Sequence, residues 1–119
     1  MNIKRILLIE DDRRWIAKLT AILKKRDVYV STATTISSAE DNFLNENAFD
    51  MVIIDGCIES NTLDSLPLIN KLRNEYYYTG LIVATSSDKR NIHPMLNAGC
   101  NEGIQKFEIV EYLNKLEYT

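Results

Sequence analysis

At 119 residues, with 45% hydrophobic and 26% charged side chains, the chain has the length of one domain, spanning residues 1–119. It carries enough apolar residues to bury about two thirds of its unfolded surface without staples. No basic patch argues for nucleic acid, and the mild net charge of -3 says little about partners; the first apolar run is too short for a signal-peptide core or a membrane span, which points to the cytoplasm. Cys57, Cys100 and a single histidine, with no CxxC or HxxxH spacing, exclude a thiolate zinc site and read as free thiols with a surface His93.

The chain alternates short β-rich runs with amphipathic stretches, the pattern of a parallel sheet with crossover helices. The first strand spans about Lys4 to Ile9. A helix follows from Arg13 or Arg14 to Lys25, with Trp15, Leu19, Ile22 and Leu23 recurring on one face. Strand two is about Val28 to Ala33. Helix two opens on a capping box at Ser37-Ser-Ala-Glu40 and buries Phe43 and Leu44. Strand three is Met51 to Ile54, ending at Asp55, and a mixed loop then leads to helix three, about Asp64 to Tyr76. Asp64 suits its N-cap, and Pro67 falls in the donor-poor first turn. Strand four is Leu81 to Ala84. Helix four, roughly Ile92 to Ala98, takes Pro94 in its first turn and Gly99 at its end. Strand five, near Glu102 to Gln105, precedes helix five, about Glu108 to Leu116. Of Tyr76-Tyr77-Tyr78, one ring is expected to pack inward and the others to lie half exposed.

The fold class is therefore α/β: a five-stranded parallel sheet with helices on both faces, flavodoxin-like and doubly wound. Such sheets bind ligands beyond the carboxyl ends of their strands. Glu10, Asp11 and Asp12 follow the run Ile6-Leu-Leu-Ile9, and Asp55 follows Val52-Ile-Ile54. Thr85 and Lys106 follow strands four and five. Either acidic group alone reads as a solvated turn or a cap, Thr85 as turn chemistry and Lys106 as a surface lysine. Together, crowded carboxylates must protonate, spread apart or share a cation, and hard oxygen ligands at this density suit Mg²⁺. Asp55, central to the set, is the candidate nucleophile, since carboxylates form acyl phosphates. Lys106 could hold one phosphoryl oxygen and the Thr85 hydroxyl another.

These residues resemble the receiver domain of two-component response regulators, over essentially the whole chain. The acidic pair Glu10-Asp11, the acceptor Asp55, Thr85, and Lys106 after Ala98-Gly99 keep the family's order, with Thr85 14 residues before Gly99 and Lys106 seven after it. The resemblance implies that Asp11 and Asp55 ligate Mg²⁺ directly, that Glu10 holds it through water, and that the backbone carbonyl of Cys57 completes the protein ligands. It also implies phosphotransfer from a histidine kinase or phosphotransfer protein to Asp55. Asp12 then flanks the site as a surface acid.

Three positions depart from the family pattern. Phe107 stands where a proline usually follows the lysine. Glu59 stands in place of the proline four residues after the acceptor, where it could crowd the cation, and Asp64-Ser65 replaces an Asp-Gly pair. Gly103 stands where an aromatic usually swings inward. The leading expectation is a non-enzymatic, single-domain regulator, monomeric or weakly dimeric, whose output is altered protein binding. The alternative is a pseudo-receiver, an interaction domain independent of phosphate. A haloacid-dehalogenase-type phosphatase needs a second acid where this chain has Cys57, and nucleotide or flavin binding lacks its glycine motifs.

Overall fold

The computed structural model describes residues 2–46 and 48–116. Five strands, β1 (Arg5–Ile9), β2 (Tyr29–Ala33), β3 (Met51–Asp55), β4 (Leu81–Ser86) and β5 (Glu102–Gln105), form one parallel sheet in the order β2-β1-β3-β4-β5. Helices α1 (Arg13–Lys24), α2 (Ile36–Asn45), α3 (Leu66–Asn74), α4 (Ile92–Ala98) and α5 (Ile109–Lys115) connect or follow them.

The period of two along each strand divides the core. Ile6 and Leu8 of β1, with Met51 and Ile53 of β3, face Leu19 and Leu23 of α1 and Ile109 and Leu113 of α5. Leu7, Ile9, Val52 and Ile54 face the opposite way, onto Ala39 of α2, Leu68, Ile69 and Leu72 of α3, and Met95 of α4. Both central strands are therefore covered on both faces, which is why they read as continuous apolar runs. The winding reverses between β1 and β3, and the crevice of such a sheet opens at that point. Both cysteines are free. No helix among the described residues is long and apolar enough to cross a membrane.

Several local expectations need correction. The α2 capping box lies two residues earlier than expected: Thr35 accepts from the Ser38 amide while Ser38 accepts from the Thr35 amide. Glu40 instead pairs with Lys71 at 2.6 Å and accepts from the Tyr76 hydroxyl, joining α2 to α3. Asp64 does not cap α3. The helix begins after Ser65, and the Asp64 carboxylate accepts from the amides of Ile58 and Glu59, folding the loop after β3 back on itself. Asp12 is more than a flanking acid, since it is the N-cap of α1 and accepts from the Arg14 amide at 2.9 Å. Of the tyrosine triplet two rings pack, not one: Tyr76 and Tyr78 both lie against Phe43, while Tyr77 is 78% exposed.

Tyr77 also holds a left-handed backbone, φ 54°. A side chain at such a φ costs about 1 kcal/mol relative to glycine, and this exposed ring loses little contact on removal. Tyr77→Gly is expected to raise stability by about 0.5–1 kcal/mol, read as a higher urea midpoint with an unchanged slope.

Candidate functional site

The ends of β1 and β3 bring Glu10 and Asp55 together beneath Lys106, which opens a short 3-10 turn (Lys106–Glu108) directly after β5. The Lys106 ammonium pairs with Glu10 and lies 3.3 Å from an Asp55 oxygen. All three are buried: Glu10 is 1%, Asp55 7% and Lys106 8% exposed. The Glu10 carboxylate is further fixed by the amides of Asp11 and Asp12, which donate to its second oxygen at 3.0 and 3.2 Å. These amides are free to do so because the chain turns out of β1 before α1 begins.

The electrostatics follow from two buried carboxylates sharing one ammonium. Burial pushes Glu10 up to about 7, with the Asp55 charge adding to the rise against the pull of Lys106. Asp55 is raised for the same first reason, burial, again opposed by Lys106. Burial lowers Lys106, but its pairs with Glu10 and Asp55 outweigh that and hold it above the ordinary lysine value. Asp11, exposed at the mouth, adds a third carboxylate, and oxygen atoms of Glu10, Asp11 and Asp55 all lie within 4.8 Å of one another. Three hard anionic donors against a single ammonium leave an excess of negative charge, and a small divalent cation that prefers oxygen ligands fits that donor set.

Thr85 is the register partner of Asp55 on β4. It is 2% exposed, and its hydroxyl oxygen has no hydrogen-bond partner among the described residues. A buried hydroxyl left unsatisfied costs about 1–3 kcal/mol, and the position of this one beside Asp55 makes it available as a donor to a group bound there. Glu10, Asp11, Asp55, Cys57 and Lys106 all line one cavity of about 550 Å³, with Trp15, Ser87 and Phe107 on its walls. The structure thus groups five of the six expected residues on one cavity and sets Thr85 in the adjoining sheet.

The departures from the expected pattern resolve individually. The described residues contain no cis peptide, so Lys106 reaches its partners across a trans bond to Phe107, whose ring is 75% exposed. Glu59 does not crowd the carboxylates, since it accepts from the Ile36 amide at 3.2 Å and so sits at the start of α2. Glu59→Ala is accordingly expected to leave Mg²⁺ affinity unchanged within about twofold. Trp15 fluorescence is the readout, since the Lys106 ammonium lies 5.8 Å from that ring. At Gly103, the space for a side chain is taken: an added Cβ would lie 2.2 Å from the Ile92 Cγ2 of α4.

One residue at this end gave no sequence signal. The Asn91 amide donates to Ser86 at 3.1 Å and to the Cys57 sulfur at 3.7 Å, tying the start of α4 to the loop after Asp55. Burial raises the Cys57 thiol, with the Asp55 charge adding to the rise.

Comparison with known proteins agrees with this arrangement. The fold matches a two-component response regulator from Clostridium difficile (TM-score 0.78, 24% identity, 94% of this chain and 93% of that one). It also matches a putative response regulator from Chloroflexus aurantiacus (0.76, 18%, 96% and 100%). A third match is a CheY-like receiver domain protein from Methanospirillum hungatei (0.73, 20%, 96% and 96%). No curated protein matches the sequence. The family model of the response regulator receiver domain matches residues 6–116. With the acidic crevice and the β2-β1-β3-β4-β5 sheet already established, the chain belongs to the response regulator receiver domain family.

Proposed function

We propose that this receiver accepts a phosphoryl group on Asp55 from a histidine kinase or phosphotransfer protein, and that its output is a change in protein binding. The observation that carries this reading is the buried pairing of Asp55 and Glu10 with a single Lys106. An Asp55 oxygen forms the new bond to phosphorus as the bond from phosphorus to the donor breaks, and the leaving group keeps the electron pair. Asp11 and Asp55, with the Cys57 carbonyl, would hold Mg²⁺, and Glu10 would hold it through water. Bound there, the cation would offset the repulsion between these carboxylates and an incoming phosphoryl group.

Lys106 is placed to turn from its carboxylate partners toward a phosphoryl oxygen. The unpartnered Thr85 hydroxyl is suited to donate to another. Both movements favour one of two pre-existing arrangements of the β4 and β5 ends, which is how a local charge change reaches the surface. The chain itself is not an enzyme in this reading, since Asp55 is consumed as acceptor.

A second reading, a phosphorylation-independent interaction domain, draws on one observation: Ile92 fills the space over Gly103, so any aromatic switch at that position is lacking. Intact mass after incubation with acetyl phosphate and Mg²⁺ separates the two. The first reading expects a single added phosphoryl group, lost on omission of Mg²⁺ and in Asp55→Asn. An unchanged mass under all conditions favours the second.

A further inference from the structure

The fourteen residues Arg13 to Arg26 contain Arg13, Arg14, Lys18, Lys24, Lys25 and Arg26 and not one acid. They hold six of the chain's 14 cations, and all 17 acids lie elsewhere. A chain of net charge -3 is therefore sharply divided, with α1 and the residues just after it as its basic segment. All six of these side chains lie in exposed positions. Arg13 and Arg14 also occupy the first helical turn, where the macrodipole disfavours cations and where no acid accompanies them. Arg14 is partly offset by its 3.2 Å pair with Asp12. Arg26 is tied to α5, its guanidinium donating to the Asn114 carbonyl at 3.1 Å, and the Lys18 ammonium lies 5.4 Å from the Trp15 ring centroid; these contacts do not account for the absence of any acid from the segment.

Beside it lies an open groove of about 650 Å³ between α1 and the edge strand β2, lined by Ala17, Thr20, Ala21 and Lys24 on the helix and Val28, Tyr29 and Val30 on the strand side. Ala17, Thr20, Ala21 and Lys24 recur at the spacing of one helical stripe, which Arg13 continues toward the N-terminus. Arg14, Lys18 and Lys25 form the neighbouring stripe. The groove is thus mainly apolar with Lys24 in its lining; helical spacing sets Arg13 beyond one end and Arg14 and Lys25 on the next stripe outward, while the Lys18 ammonium lies toward the Trp15 ring. Its two side-chain hydroxyls are already paired, since Thr20 donates to the Ile16 carbonyl at 2.6 Å and Tyr29 donates to the Glu46 carboxylate. The small side chains of Ala17 and Ala21 leave room for a close backbone approach.

We infer that the α1/β2 groove docks an amphipathic helix of a partner protein, with small or aliphatic residues on its buried face and Asp or Glu along its flanks. The concave shape favours a convex rod, because a flat anionic bilayer would meet the cationic rim and leave the apolar floor uncovered. The charge segregation selects an acidic partner and suppresses basic ones. This site lies on the free edge of the sheet and does not depend on the chemistry at Asp55.

The probe is a synthetic helical peptide with an Ala/Leu face and Glu flanks, titrated into isotope-labelled protein and followed by amide NMR shifts. A peptide of the same apolar face with Lys flanks, vesicles containing phosphatidylglycerol and a short DNA duplex are titrated alongside. Saturable shifts confined to residues 13–30, weakened by salt and absent with the Lys peptide, are expected. The exposed double variant Lys24→Glu/Lys25→Glu is expected to bind about tenfold more weakly. Ala21→Arg adds positive charge but fills the groove, and is also expected to bind about tenfold more weakly. Undiminished binding by Ala21→Arg would reduce the effect to charge alone and overturn the groove. Absence of peptide shifts, shifts centred elsewhere, or preference for the vesicles or the duplex would overturn the inference as well.

Discussion

Lys106→Met is expected to destabilise the protein by about 3–5 kcal/mol near neutral pH, because it leaves Glu10 and Asp55 buried together with no counter-charge. The methionine keeps the apolar stem, so lost packing contributes little. A solvated surface pair would cost no more than about 1 kcal/mol, and the burial of all three groups decides between the two figures. The variant should also respond to pH in a defined direction. Glu10, with a folded value raised to about 7 from 4.5, keeps its proton in the folded chain where the unfolded chain has already released it. Stability from this group is therefore fully present below its unfolded value and is lost as pH rises through the folded one. Without Lys106, which pulls both carboxylates down, that loss deepens and moves higher in pH. Urea unfolding should show the variant regaining stability on acidification from about pH 8 to about pH 5.5, and regaining it at pH 8 on addition of Mg²⁺. Equal loss at both pH values, with no recovery from Mg²⁺, would mean that unpaired buried charge is not its cause.

Gly103→Tyr, which restores an aromatic at the departing position, is expected to cost about 1–3 kcal/mol by overpacking. The Cβ alone meets Ile92 at 2.2 Å, so the whole side chain requires α4 to shift or Ile92 to turn away. Ile92→Ala in the same chain vacates that space. The double variant is expected to be more stable than the sum of the two single losses, by about 1 kcal/mol or more. Additive losses would show that the glycine is required by something other than the Ile92 side chain.

Much of the fold was legible because the strands are buried on both faces: Ile6 to Ile9 and Val52 to Ile54 admit only a central parallel strand, and their ends locate the acids. The bounds of α4 and β5 were also readable, since Pro94 and Gly99 fix the first and Glu102 to Gln105 fits between that glycine and Lys106. What was not legible depended on partners distant in sequence. Ser37 and Glu40 have the spacing of a capping box, yet Glu40 is drawn to Lys71 and Tyr76 on α3, and Thr35 and Ser38 take the cap. Asp64 has the chemistry of an N-cap, but the backward loop after β3 offers it two amides first. Glu59 looked like a competitor for the cation because its linear distance from Asp55 says nothing of the turn that carries it to α2. At the site, the carboxylates and Lys106 followed from their strand ends. The occupation of the Gly103 space by Ile92 and the reach of Asn91 to Cys57 are packing events between loops, with no periodic trace in the sequence.

The measurement that tests the central proposal most directly is the position of the phosphoryl group. Acetyl phosphate and Mg²⁺ are added, borohydride then reduces any aspartyl phosphate to homoserine, and the converted residue is located by peptide mass spectrometry. The account predicts conversion at position 55 alone, dependent on Mg²⁺. Conversion at Asp11, Asp12 or Asp64 instead, or none at all in the folded protein, would contradict it.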